Sequence, residues 1–149
     1  AQLPPPRLER VGLAELCARA AALETRLRVV VAPGPGVPVE ADPGQLEQLL
    51  INLVRNAADA ALETGGGVRL GWEARGDGVE LWVEDEGPGL PASANLFVPF
   101  FTTKQGGTGI GLALSRQIAE AHGGTLTLGN RDDGPGCRAL LRLPAAAAS

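Results

Sequence analysis

Aromatic rings, methionine and positive charge are all scarce in this chain. Only 3% of its 149 residues are aromatic, and neither tyrosine nor methionine occurs. So few rings argue against the stacking surfaces that hold single-stranded nucleic acid. The formal net charge of -4 argues against a general attraction to nucleic-acid phosphates or anionic lipids. We therefore expect no nucleic-acid partner and no direct membrane contact.

Cysteine and long apolar runs are scarce as well. Cys17 and Cys137 stand far apart and form no metal-binding or redox motif, so we expect two reduced thiols. No apolar run approaches the ~18 residues of a membrane span, and no signal peptide opens the chain. These absences predict a cytoplasmic location. Because the chain begins at Ala1 without methionine, we expect it to be a segment of a longer protein, whose membrane attachment the sequence leaves open.

The periodicity of apolar residues predicts a mixture of helices and hairpins. The strongest helix signal has Asp42 as its N-cap and Pro43 at the first helical position, and it ends at a run of glycines. We expect a two-layer α/β sandwich, in which one mixed, mostly antiparallel sheet carries the helices on a single face. Other helices are predicted over 13–23 and 110–124, and extended segments over 27–33, 37–41, 68–74, 79–85, 125–130 and 137–144.

A carboxylate and a glycine-rich turn follow the strand predicted over 79–85. The alternation of this strand places Asp85 on the same face as three apolar residues, so its carboxylate points toward the core. A buried acid is costly unless a partner hydrogen-bonds to it. The exocyclic amine of adenine is one such partner, and Gly87 and Gly89 would let the backbone pass close to a flat ring. A plain β-turn with solvated acids is the alternative for this motif alone.

The helix that begins after Asp42 carries a polar stripe beside its apolar one. Asn52, Asn56 and Asp59 lie at positions i, i+4 and i+7 of this stripe. Asparagine is a poor helix former, and a solvated face would favour Glu, Lys or Arg. Two amides one turn apart suit a cation such as Mg²⁺, which binds few protein oxygens and completes its shell with phosphates and water. An ordinary polar face with two amides is the alternative.

Four glycines precede and open the helix predicted over 110–124. Gly106, Gly107, Gly109 and Gly111 would expose backbone N–H groups at the positive end of this helix, which suits a polyphosphate. The pattern is not a P-loop, since no Lys-Ser or Lys-Thr pair follows it. It also differs from a dinucleotide fingerprint, because a Phe- and Thr-bearing segment stands where a strand is needed. A mobile linker is the alternative for this segment alone.

Taken in order, these motifs resemble those of a known family. N-x-x-x-N on a helix, D-x-G-x-G after a strand, F-x-P-F-F-T-T-K, and G-x-G-x-G into a helix resemble the N, G1, F and G2 boxes of the catalytic and ATP-binding domain of sensor histidine kinases. These belong to the GHKL, or Bergerat-fold, ATPase superfamily. The resemblance runs from about residue 27 to residue 144. It is greatest for the nitrogen-regulation-type branch, in which FFTTK runs almost directly into the second glycine box.

The resemblance implies ATP and Mg²⁺ as cofactors and a role for each box. Asn56 would ligate Mg²⁺, Asn52 would lie beside the phosphates, and Lys104 would contact a phosphate, which makes these three the candidate catalytic residues. Asp85 would accept a hydrogen bond from adenine N6. The other implied nucleotide-binding residues are Asp59, Gly87, Gly89, Phe101, Thr102, Thr103, Gly107, Thr108, Gly109, Ile110, Gly111 and Leu112.

Three features depart from the family pattern. Many kinases of this family have a basic residue where this chain has Asp59, so Arg55 or Lys104 would have to supply that charge. Few residues separate the first glycine box from the phenylalanine box. Very little lies between FFTTK and the second glycine box, so we expect a short nucleotide lid.

The position of Asn52 bears on the reaction. Superfamily members that hydrolyse ATP have a glutamate there, which activates water, and an amide cannot take a proton. The resemblance therefore favours phosphoryl transfer, which needs mainly positioning and charge neutralisation. His122, the only histidine, lacks the neighbours of a phosphorylation box, and we interpret it as a helix C-terminal residue.

The resemblance also implies partners outside the chain. The acceptor histidine would lie on a preceding dimerisation domain, and a response-regulator aspartate would then receive the phosphoryl group. On this interpretation residues 1–26 are a connector and first helix, 27–144 the ATP-binding catalytic domain and 145–149 a disordered tail. Two other classes remain open, namely a serine kinase of the anti-sigma-factor type and a domain that senses nucleotide without transfer.

Overall fold

The computed structural model describes residues 3–90 and 109–144, with side chains from Leu112 onward in the second range. The predicted two-layer α/β sandwich is confirmed. A five-stranded sheet has the order β2-β4-β5-β7-β6, in which only the β2–β4 pair is parallel. The elements are β1 (Glu9–Gly12), α1 (Leu13–Leu23), β2 (Val29–Val31), β3 (Pro38–Ala41), α2 (Pro43–Thr64), β4 (Val68–Arg75), β5 (Gly78–Asp85), α3 (Gly109–Ala121), β6 (Thr125–Asn130) and β7 (Cys137–Pro144).

Helix α2 has the ends that its sequence predicts. The Asp42 carboxylate accepts a hydrogen bond from the Gln45 N–H at 3.0 Å, and Pro43 opens the first turn. Gly65 ends the helix in the left-handed conformation at φ 70°, which glycine adopts without a steric penalty. Local chemistry therefore sets both limits of the helix that carries Asn52 and Asn56.

The core lies between the helices and one face of the sheet. Alternate residues of β5, among them Val79, Leu81 and Val83, are buried on that face, and Asp85 continues the series as predicted. The opposite face is polar: the Trp82 ring lies between the guanidinium groups of Arg69 and Arg138, at 5.6 and 5.9 Å from its centroid. Functional side chains buried at the end of β5 are thus on the helix side of the sheet.

One element was not predicted. Residues 9–12 form β1, which pairs antiparallel with β3 in a separate two-stranded sheet, and α1 follows at once. Leu13, Leu16 and Cys17 of α1 are buried in the same core as the residues of α2. The segment before β1 is also attached, because the Arg7 N–H donates to the Asp42 carboxylate at 2.9 Å. The proposed boundary at residue 26 therefore runs between elements that share one core.

Both cysteines are buried and unbonded, as predicted for reduced thiols. Burial raises the pKa of the Cys17 and Cys137 thiols to about 12, so neither is a reactive thiolate near neutral pH. Within the described residues, no helix has the length and apolar character needed to cross a membrane. The predicted tail over 145–149 lies outside the described residues.

Candidate functional site

The polar stripe of α2 begins at Asn52, whose side chain faces α3. Its side-chain oxygen accepts from Gln48 Nε2 at 3.0 Å, and its Nδ2 lies 3.5 Å from the Oγ of Ser115, a fully buried residue of α3. Ser115 was missed by the sequence analysis. The available signal was a lone hydroxyl on the apolar face of a helix, where it needs a polar partner. The contact brings the helix that follows the second glycine box against the asparagine stripe.

Asp85 ends β5 and is only 5% exposed. Its Oδ1 accepts two backbone hydrogen bonds, from the Gly87 N–H at 2.9 Å and from the Cys137 N–H at 3.3 Å. Both of these donors are neutral backbone amides, and both bonds end on the same carboxylate oxygen. A hydrogen-bond partner for this acid was predicted, but the N–H of Cys137 was not foreseen as one.

The glycine turn after Asp85 packs against the C-terminal half of α2. A methyl group added at Gly87 would lie 2.7 Å from backbone atoms of Ala60, and the Thr64 hydroxyl donates to the Glu86 carbonyl at 2.6 Å. Only a residue without a side chain allows this approach. Ala60 is one turn beyond Asn56 on α2. The turn after β5 therefore packs on α2, one helical turn from the asparagine stripe.

Asn56 is half-buried on α2, between the level of Ser115 and the level of Gly87. Among the residues that the structure describes, no three His, Cys, Asp or Glu side chains converge in a cluster that could hold a metal. An amide oxygen beside a phosphate chain would suit Mg²⁺, because this ion binds few protein oxygens and completes its shell with phosphates and water. Asn56 thus offers one amide oxygen, which fits an ion that takes most of its ligands from a polyphosphate and water.

Asp59 points toward the connection between α1 and β2. Its carboxylate accepts a hydrogen bond from Arg26 Nη1 at 2.7 Å, and the same guanidinium hydrogen-bonds Glu24. The guanidinium lowers the pKa of the Glu24 carboxyl. The acid that replaces the family's basic residue is therefore neutralised by a cation from a distant part of the chain.

His122 uses both ring nitrogens to hold two helices together. Its Nδ1–H donates to the Ile118 carbonyl at 2.8 Å, and its Nε2 accepts from the Asp42 N–H at 3.0 Å. In this arrangement Nδ1 is the donor and Nε2 the acceptor. His122 is also buried, which agrees with its interpretation as a helix C-terminal residue rather than a phosphate acceptor.

Part of the predicted site lies outside the described residues. Gly109, Ile110 and Gly111 form the first turn of α3, as predicted for the second glycine box, although their side-chain environment is not described. The Leu112 side chain is buried in the core, so it would offer a nucleotide only its backbone. The predicted site residues that lie outside the described part of the chain are Phe101, Thr102, Thr103, Lys104, Gly107 and Thr108.

The fold and the site define an ATPase-type α/β sandwich with an asparagine helix, a buried aspartate and a glycine-initiated helix. The family described as "Histidine kinase-, DNA gyrase B-, and HSP90-like ATPase" matches residues 41–147, and the chain belongs to this family. The sensor protein kinase PilS of Pseudomonas aeruginosa is 42% identical over 102 residues, which cover 64% of this chain and 19% of PilS. The chain spans about a fifth of the length of the curated relatives it matches.

Solved structures support the same assignment. The catalytic domain of the histidine kinase ThkA superposes with a TM-score of 0.82 at 32% identity, covering 94% of this chain and 97% of that domain. ThkA has also been solved in complex with the response regulator TrrA, with a TM-score of 0.76 at 27% identity over 93% of this chain and 42% of that one. Full-length ShkA in complex with AMPPNP gives a TM-score of 0.85 at 30% identity over 100% of this chain and 33% of ShkA.

Proposed function

We propose that this chain is the ATP-binding catalytic domain of a two-component sensor histidine kinase. It transfers the γ-phosphoryl group of Mg-ATP to a histidine on a separate dimerisation domain, from which the group passes to a response-regulator aspartate. The observation that carries the proposal is the placement of Asp85, its glycine turn and the asparagine stripe along α2. The ShkA complex with AMPPNP and the ThkA complex with a response regulator support it by similarity.

The proposed roles follow from the chemistry of each position. Asp85 accepts from the exocyclic amine of adenine, while Gly87 and Gly89 line the base. Asn56 ligates Mg²⁺, which supplies charge neutralisation to the phosphate chain. The N–H groups at the start of α3, with Lys104, contact the phosphates. The proposed nucleotide site is completed by residues of the lid and of the second glycine box, namely Phe101, Thr102, Thr103, Gly107, Thr108, Gly109, Ile110, Gly111 and Leu112.

Transfer to a protein acceptor is favoured over hydrolysis by the environment of Asn52. Its amide accepts from Gln48 and lies beside Ser115, two neutral partners. Because an amide does not take up a proton, Asn52 cannot activate water as a glutamate would. The geometry instead suits a site that positions ATP for an incoming nucleophile.

The finer assignments are proposals that rest on sequence alone. The short spacing between FFTTK and the second glycine box supports the nitrogen-regulation-type branch of the histidine kinases. We also propose that residues 1–26 connect to the dimerisation domain, that 27–144 form the catalytic domain, and that the chain works in the cytoplasm. The connector would reach the catalytic domain near Arg7, whose backbone N–H contacts the N-cap residue of α2.

Phosphoryl transfer is tested by supplying the chain with γ-labelled ATP, Mg²⁺ and the dimerisation domain of its parent protein. We expect a label on that domain that is lost in acid and stable in base, as for phosphohistidine. An acid-stable label on a serine would instead identify a serine kinase. ATP binding without any label would identify a nucleotide-sensing domain.

The role of Asn56 is tested with two variants. We expect Asn56→Ala to lose most of the enhancement of ATP affinity by Mg²⁺, about tenfold or about 1.4 kcal/mol, while base recognition changes less. Asn56→Asp keeps an oxygen ligand and should retain the enhancement. Isothermal titration calorimetry with and without Mg²⁺ measures the effect, and undiminished enhancement in Asn56→Ala would show that Asn56 is not the ligand.

A further inference from the structure

Two loops meet at the end of β5. One is the glycine turn after Asp85, residues 86–90, and the other is the connection between β6 and β7, residues 131–136, with Asn130 and Cys137 at its two ends. Gly136 has φ 118°, and a methyl group added there would overlap the carbonyl oxygen of Asp85. The next residue, Cys137, donates its N–H to the Asp85 carboxylate. The β6–β7 connection therefore touches both the backbone and the side chain of Asp85.

Asn130 makes a second link between the same loops. Its Oδ1 accepts from the Leu90 N–H at 2.7 Å, and its Nδ2 donates to the Leu90 carbonyl at 3.3 Å. One side-chain amide thus satisfies both polar groups of one residue, as a neighbouring strand would. Gly89, at φ 83°, lies against the same amide, since a methyl group added there would be 3.0 Å from Asn130 Oδ1.

The glycine turn is consequently held from two sides. On the helix side, Gly87 packs against Ala60 and the Glu86 carbonyl accepts from Thr64. On the sheet side, the amide of Asn130 holds Leu90. Two glycines make this turn easy to deform, and an unheld turn would lose conformational freedom each time a ligand ordered it. Contacts that order the turn in advance increase affinity by removing that cost.

We propose that Asn130 is a positioning residue for adenine recognition. It keeps the turn over Gly89 and Leu90 in place and so keeps the Asp85 carboxylate oriented toward the exocyclic amine of the base. This inference rests on the proposed function, because it requires Asp85 to recognise adenine. Among the described residues, Asn130 hydrogen-bonds the turn at Leu90. We therefore expect its replacement to affect recognition of the base more than contacts with the phosphates.

The test compares ATP with inosine triphosphate, which carries an oxygen where adenine has its amine. Dissociation constants are measured by calorimetry for the wild-type chain, Asn130→Ala, Asn130→Asp and the control Asp132→Ala, an exposed position on the same connection. We expect Asn130→Ala to weaken ATP about 3- to 10-fold, the loss of one or two net hydrogen bonds, and to weaken inosine triphosphate less. Asn130→Asp keeps the acceptor for the Leu90 N–H and should retain most of the preference for ATP.

A direct readout needs no ligand and covers the case in which Asn130→Ala is too unstable to titrate. Amide hydrogen exchange at Leu90 should quicken in Asn130→Ala, and in Asn130→Asp it should remain close to the wild-type rate. An equal loss of affinity for both nucleotides, or an unchanged preference for ATP, would overturn the positioning role. If the wild-type chain itself binds both nucleotides equally, adenine recognition by Asp85 is wrong, which is a failure of the proposed function and not of the loop contact.

Discussion

Two aspartates in this molecule are held by the same kind of donor and serve different ends. Asp42 accepts from the Gln45 N–H at 3.0 Å and the Arg7 N–H at 2.9 Å, one bond on each carboxylate oxygen. Asp85 accepts from the N–H groups of Gly87 and Cys137, and both of these bonds end on Oδ1. Asp42 is only partly buried, whereas Asp85 is 5% exposed.

The two carboxylates differ in the part of the molecule that each one stabilises. The first turn of α2 has N–H groups without helical partners, so Asp42 stabilises an element that would otherwise be incomplete. Asp85 instead accepts from N–H groups of a turn and of a neighbouring strand, and it does so at a position where a carboxylate is costly to bury. We therefore propose that the buried carboxylate of Asp85 serves a ligand, whereas the carboxylate of Asp42 serves the helix.

Replacing Asp85 should produce the largest effect, and the effect should be on binding. In Asp85→Asn, a charge-assisted hydrogen bond in a buried site is lost, so we expect ATP affinity to fall by roughly 10- to 150-fold, equivalent to about 1.5–3 kcal/mol. Isothermal titration calorimetry measures it. Asp42→Asn is the matched control and should bind ATP as the wild-type chain does. Equal ATP affinity in Asp85→Asn and the wild-type chain would refute the assignment of Asp85.

Replacing Asp42 should produce a smaller effect, on stability. Asp42→Ala removes the N-cap of α2 and the acceptor for Arg7, so we expect the free energy of unfolding to fall by about 0.5–2 kcal/mol. Urea denaturation followed by circular dichroism measures the change. ATP affinity of the folded protein should stay within about twofold, a difference of about 0.4 kcal/mol. A large loss of affinity with unchanged stability would reverse the comparison between the two aspartates.

The smallest expected effect is a dependence of stability on pH. The backbone hydrogen bonds from Arg7 and Gln45 lower the pKa of the Asp42 carboxyl. A lowered pKa in the folded state means that the charged form stabilises the fold above the ordinary aspartate pKa of about 3.9, and that this stabilisation disappears as the pH falls through the folded value. We expect the wild-type chain to exceed Asp42→Asn by about 0.3–1 kcal/mol at pH 7 and to converge with it in acid.

Urea titrations of both proteins from pH 7 down to about pH 2 measure this difference, because the convergence is expected below the ordinary aspartate pKa. Asp77→Asn, in the exposed turn between β4 and β5, is a control that should show no such convergence. A constant difference between the wild-type chain and Asp42→Asn across the range would show that the charge of Asp42 does not stabilise α2.

Much of the fold could be predicted because its signals are local. The ends of α2 are set by residues within a few positions of each other, from Asp42 to Gln45 and from Ala61 to Gly65. The direction of Asp85 follows from the alternation of a single strand. β1 gave no comparable signal, because a four-residue strand in a two-stranded sheet is stabilised by its partner β3 more than by its own sequence.

The sequence by itself determined the helix that carries the asparagines, the inward direction of Asp85 and the order of the boxes that identify the family, since each depends on neighbours along the chain. Only the tertiary structure decided what holds the site together. The Cys137 N–H reaches Asp85 across 52 residues, Ser115 reaches Asn52 across 63, and Asn130 reaches Leu90 across 40. Sheet pairing and helix packing determine these contacts, so no local pattern could have predicted them.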